Sequence, residues 1–119
     1  MNIINSFTDF LISMTMILVG LISIIKPPKF NEFYGYRTTY SMKSKEAFEF
    51  ANNRFGKLWL IFGTISFIFI IVLKSSLTLN SELTSIICMI ISLFNMFIPL
   101  VLVDIELKIN FTSSGKLKN

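Results

Sequence analysis

The side chains able to do chemistry are few, and most lie in one polar stretch, residues 31–57, NEFYGYRTTYSMKSKEAFEFANNRFGK. Histidine is absent, which removes the commonest general base and the commonest transition-metal ligand. The one cysteine, Cys88, sits inside an apolar run. Alone it makes neither an internal disulfide nor a metal site, and a small buried apolar side chain is its expected role. Glu46 and Glu49 are three apart and would share a helix face, but both are flanked by basic residues, the pattern of a solvated surface. No nucleophile with a base, no paired carboxylates and no metal-ligand cluster is visible. The expectation is binding without catalysis, with no cofactor and no metal.

Arg37 is the side chain that stands out. It follows Gly35-Tyr36, and a guanidinium there can grip a carboxylate or phosphate with two parallel bonds. It either binds headgroups or organises the loop, with Asn31, Tyr34 and Tyr36 supplying hydrogen-bonding groups nearby. Asp104 and Glu106 lie beyond the last apolar run. They are either solvated at an interface or paired with Arg37 or Arg54. Asn95 is a polar group within an apolar run. It needs a partner there and is expected to face other helices, for packing or for a ligand. Gly20, Gly63, Ser66 and Ser92 would let helices approach closely.

The elements that must position these groups follow from composition. Of 119 residues, 53% are hydrophobic and 15% charged, with a mean hydropathy of +0.69. Soluble domains carry about 25% charge, so the chain reads as a single membrane domain. Residues 10–25 carry no charge and reach roughly 24 Å as a helix, short of a hydrocarbon core of about 30 Å unless residues before them join. A signal peptide would need a basic start and a small-residue cleavage site. Asp9 is the only early charge, so a retained span is expected. Spans are placed at about 7–25, 58–74 and 83–103, with the loop motif at 27–57 and a tail at 104–119.

Pro27 and Pro28 end the first helix. Ser41 is the expected N-cap of a helix from Met42 to Phe55. Ala47, Phe48, Ala51 and Phe55 fall on one face of it, as in a helix lying in the membrane interface. Lys57 and Lys74 bracket the second span and should snorkel to the headgroups, with Trp59 one turn inside. Asn95 and Pro99 interrupt the third span, and the tail is expected to fray. The predicted fold is an all-α membrane protein with three transmembrane helices and a cytoplasmic amphipathic interfacial helix between spans one and two.

Orientation follows from the eleven Lys and Arg residues. Seven lie in 26–57, three in the tail, and only Lys74 lies between spans two and three. The positive-inside rule then puts the N-terminus outside and the C-terminus in the cytoplasm. The excess of +4 flanks apolar spans rather than covering a soluble face, so membrane lipid, and no nucleic acid, is the expected contact.

Asn31, Gly35-Tyr36-Arg37-Thr38, Ser41-Met42-Lys43, Glu46, Phe48, Ala51-Asn52 and Gly56-Lys57 resemble the signature of the SdpI family. These are bacterial membrane proteins named for an immunity protein against a secreted peptide toxin. The resemblance is close over residues 27 to about 63, with Phe48 where the family often has tryptophan. It implies residence in the bacterial inner membrane and protection against a membrane-active peptide toxin. The toxin would meet the span surfaces or the interface, while Arg37 and its neighbours hold the loop. The founding member also acts in signalling by holding a transcriptional repressor at the membrane. The alternative is therefore a membrane-bound regulator recruiting such a soluble partner to its cytoplasmic face. The founding member carries further spans, whereas this chain is the three-span module. A homo-oligomer would create an additional site between protomers.

Overall fold

A computed structural model describes residues 3–29, 35–76 and 81–118. Three helices account for most of them: α1 (Ile3–Ile25), α2 (Lys45–Ser76) and α3 (Ser81–Asn110), with a 3-10 turn at Ser41–Lys43. All three are long and apolar enough to cross a membrane. Among the described residues the only β pairing is an isolated bridge, Phe111 to Leu117. At about 1.5 Å per residue α2 reaches about 48 Å and α3 about 45 Å, well beyond a hydrocarbon core of about 30 Å. Both overrun at the same end, where the 35–57 motif lies. The bundle is 53 Å long, so the ends of α2 and α3 with the motif loop form a cap longer than such a core requires.

Each helix buries one stripe in which small or polar residues stand with a few large ones, and turns most of its large aliphatic residues outward. On α1 the stripe is Asp9, Ser13, Met16, Gly20 and Ser23, at alternating helical spacings of four and three. On α3 it is Thr84, Cys88, Ser92, Pro99, Val103 and Leu107. Leu18, Ile22, Ile65, Ile68, Phe94 and Phe97 are exposed, as suits lipid contact. Small inward residues let helix backbones approach where lipid tails supply no hydrophobic drive.

The tightest approach is between α1 and α2. A Cβ on Gly20 would lie 2.7 Å from the Leu60 nitrogen and 2.8 Å from the Gly56 carbonyl oxygen. Both atoms are backbone and cannot step aside. Gly20→Ala is expected to cost about 2–3 kcal/mol through forced separation of the helices. Ser66→Ala, at a buried hydroxyl without a partner, should be neutral or stabilising. Denaturation of the purified variants in detergent measures both, and an unchanged Gly20→Ala midpoint would rule out this close approach.

Several sequence expectations change at the motif end. There is no separate interfacial helix, because residues 45–57 are the first turns of α2 and run without a break into the second span. The apolar face expected to lie on headgroups is covered by protein. Ala47, Ala51 and Phe55 join Tyr36 in one cluster with Val103, Leu107 and Phe111. Gly56 lies within α2 and fits closely under Ser23, whose Cβ would be 2.8 Å from an added methyl.

The N-cap is Ser44, not Ser41. Ser44 is extended, at φ −157° and ψ 164°, and its Oγ accepts the Ala47 N–H at 3.0 Å, the capping geometry. The tail is built rather than frayed. α3 continues to Asn110, and the chain then folds back, with the Lys118 N–H bonded to the Asn110 carbonyl at 2.7 Å. Lys74 does not reach for headgroups; it turns inward onto Asp9, and both side chains are buried.

Candidate binding site

The motif is assembled by Asn52, which stands on the buried face of α2 at 1% exposure. Its Oδ1 accepts the Tyr36 N–H at 2.7 Å, and its Nδ2 donates to the Tyr36 carbonyl at 3.2 Å and the Phe48 carbonyl at 2.9 Å. One amide thereby satisfies both backbone groups of a loop residue sixteen positions away. This needs glycine at the preceding position. Gly35 has φ +99°, and a Cβ there would stand 2.7 Å from Asn52 Oδ1.

Tyr36 then spans the cap. Its hydroxyl donates to the Leu100 carbonyl at 3.0 Å, and its ring lies 5.5 Å from Phe55, which in turn lies 4.5 Å from Trp59. Burial, with the negative charge of Asp104 as a smaller cause, pushes the Tyr36 phenol above its ordinary value against an opposing effect of Thr38. The phenol therefore stays a donor at neutral pH. Trp59 Nε1 donates to the Met96 carbonyl at 3.1 Å, so the expected interfacial tryptophan is half-turned into the bundle.

Ser41 and Thr38 close the next turn reciprocally. The Thr38 N–H donates to Ser41 Oγ at 2.8 Å, and the Ser41 N–H to Thr38 Oγ1 at 3.1 Å. Met42 is half-buried and its N–H bonds the Thr38 carbonyl, while Lys43 is exposed. The folded tail locks this loop, through Tyr40 Oη to the Phe111 carbonyl at 2.7 Å and Ser44 Oγ to the Gly115 carbonyl at 2.6 Å.

Of the carboxylates beyond the third run, Glu106 pairs with Arg54 in a parallel fork, Nε to Oε2 at 2.8 Å and Nη2 to Oε1 at 2.9 Å. Asp104 pairs with Lys108 one turn on, at 3.0 Å. Arg37 is exposed and makes no hydrogen bond or ion pair with a described residue. It stands instead at the rim of a cavity of about 640 Å³, with Thr38 and Asp104 at the rim and Trp59, Met96 and Leu100 along the wall. An apolar wall under a free guanidinium suits an amphiphile with an acidic or phosphate group. Asn31 and Tyr34 lie outside the described residues. Asn95 is half-buried and bonds no described residue. Among the described residues no cluster of three or more Asp, Glu, Cys or His side chains could hold a metal.

Gly35, Tyr36, Ser41 and Asn52 are thus brought together as a framework, while Gly56 packs against α1. The model of the SdpI/YfhL protein family matches residues 28–103, 76 of the 119 positions. The chain belongs to the SdpI/YfhL family. No curated protein and no solved structure matches it. Membership in the SdpI/YfhL family and three spanning helices make it a multi-pass membrane protein, of a family that suggests an immunity-type role.

One pair escaped the sequence reading, Asp9 with Lys74. Asp9 lies four residues before Ser13 and seven before Met16, on the stripe that α1 buries. That spacing was the available signal, because an acid on the small-residue face of a span needs a cation from another helix.

Proposed function

We propose that this SdpI/YfhL member protects the membrane that holds it against a secreted, membrane-active peptide toxin, by binding and without chemistry. The observation that carries the reading is Arg37. The framework's other polar groups bond one another, and this exposed guanidinium, without a hydrogen bond or ion pair to a described residue, stands at the edge of a largely apolar cavity. A peptide with an acidic group or C-terminus and an apolar body is the complementary ligand. The protein would sit in the bacterial inner membrane with the N-terminus outside, and the motif end, rich in Lys and Arg, in the cytoplasm.

Arg37 makes no bond within the described protein, so Arg37→Ala and Arg37→Lys should leave thermal stability within about 0.5 kcal/mol of the parent. Protection should fall for both, because lysine keeps the charge but loses the fork. The assay is survival of susceptible cells challenged with the secreted peptides of a producer strain, at matched membrane levels. Parental survival with Arg37→Lys would remove Arg37 from binding. No protection from the parent chain would remove the immunity reading.

A second reading rests on the cap, where Lys43, Lys45, Lys57 and Lys116 are exposed on protein built beyond the lipid. Such a platform would recruit an acidic soluble regulator. Capture of a soluble protein on membranes by a chain that gives no protection would favour it.

A further inference from the structure

We propose that a second cavity, between α1 and α3 at the end remote from the motif, binds the uncharged hydrogen-bonding head of a small amphiphile dissolved in the membrane. The cavity is about 360 Å³, with Thr8, Asp9, Ser85 and Ser92 as its polar lining and Leu11, Ile86 and Met89 on its apolar wall. Ser92 is 1% exposed, and the hydroxyls of Ser92 and Ser85 are both buried without a hydrogen-bond partner. Helical hydroxyls in this protein have an easy alternative. Thr15, Thr64 and Ser75 each bond the carbonyl four residues back, at 2.7–2.8 Å. Ser85 and Ser92 do not take it. A buried hydroxyl left unpaired is a standing cost, and a ligand that supplies the missing partner removes it.

The charge of the site selects the kind of head. Asp9 is held by Lys74, with side-chain exposures of 3% and 10%, so the acid and the base already neutralise each other. A cationic or anionic head would bring an uncompensated charge into a low-dielectric site or break the pair, and either is costly. A hydroxyl or carboxamide meets the serine hydroxyls with no change of charge. The walls suit the remainder of the molecule. Leu11 and Met89 are 45% and 51% exposed, so the cavity opens sideways to the lipid, where an alkyl chain is already dissolved. Met89 adds an adaptable surface.

The test uses dodecyl probes with a diazirine in the chain and one of four heads: hydroxyl, carboxamide, trimethylammonium or sulfate. They are added to the full chain in phosphatidylcholine nanodiscs and photolysed, and the labelled residues are mapped by mass spectrometry. The hydroxyl and carboxamide probes should label Ile86 and Met89 saturably, about tenfold more than the charged probes, the ratio expected from one well-made hydrogen bond to a buried group. Ser85→Ala with Ser92→Ala should erase that preference while leaving the melting temperature at or above the parental value, since neither hydroxyl has a partner to lose. Labelling at the lipid-facing Phe94 and Phe97 should not change. Equal labelling by all four heads would mean a cavity filled by lipid or water and would overturn the proposal. So would a head preference that survives the double substitution, and so would an absence of saturable label at Ile86 and Met89 in the parent.

Discussion

Asp9→Asn and Lys74→Met are each expected to lower the unfolding free energy by about 3–5 kcal/mol, because each leaves its partner as an uncompensated buried charge. The double variant should recover most of that loss, since an ion pair replaced on both sides no longer needs solvation. The pair joins the start of α1 to the end of α2 across 65 positions, so its loss should loosen the end of the bundle remote from the motif. Denaturant unfolding of all four proteins in one detergent completes the cycle. Losses that simply add in the double variant would show that the two side chains do not interact. That result would also weaken the charge argument for the cavity beside them.

Asn52→Ala should be nearly as damaging at the other end. It strands the Tyr36 N–H and leaves the Tyr36 carbonyl only the bond from Ser41 Oγ at 3.3 Å, and a buried orphan costs about 1–3 kcal/mol. Asn52→Asp keeps the shape and the acceptor for the Tyr36 N–H. It loses the donor, however, and faces the Tyr36 and Phe48 carbonyls with oxygen, so it should rescue little. Amide hydrogen exchange reads this locally, and Tyr36 should exchange about a hundredfold faster in either variant, corresponding to roughly 3 kcal/mol. An unchanged Tyr36 rate would mean that the loop holds its shape without the clamp. In that event Ser41 and Thr38, with their reciprocal bonds, would be the organising pair. Because Arg37 shares this loop, Asn52 variants should lose protection through shape, whereas Arg37 variants should lose it at full stability.

The uncharged runs, the paired prolines and the lysines at the run ends are enough to require three apolar helices, because backbone groups in hydrocarbon must bond internally. The same pattern places the polar motif between the first two, and the glycine before Tyr36 marks a turn. These conclusions need only local properties: hydropathy, helix length and turn chemistry. The apolar face of residues 47–55 was legible as a face, but its partner was not. A stripe of alanine and phenylalanine fits headgroups as well as it fits a neighbouring helix. The choice fell to α3, which runs past the lipid to Asn110 and offers Val103 and Leu107. Once that cover exists, nothing stops the helix at Phe55, and loop helix and span become one.

The cap moved from Ser41 to Ser44 for a related reason. Both serines suit an N-cap, and the reciprocal bonds of Ser41 with Thr38 leave Ser44 to start α2. The sequence offered Arg37 and Arg54 alike to Asp104 and Glu106, and only the tertiary structure chose Arg54 with Glu106 and joined Asp9 to Lys74. Arg54 and Glu106 are 52 positions apart, and Asp9 and Lys74 are 65 apart. The Asp9–Lys74 register depends on how α1 slides against α2, which is set where the backbone at Gly20 meets Leu60 and Gly56, and that of Arg54–Glu106 depends on how α2 meets α3. Periodicity says which way a side chain points around its own helix. Only packing says what stands opposite, because a shift of one turn between two helices keeps every stripe inward and changes every pair.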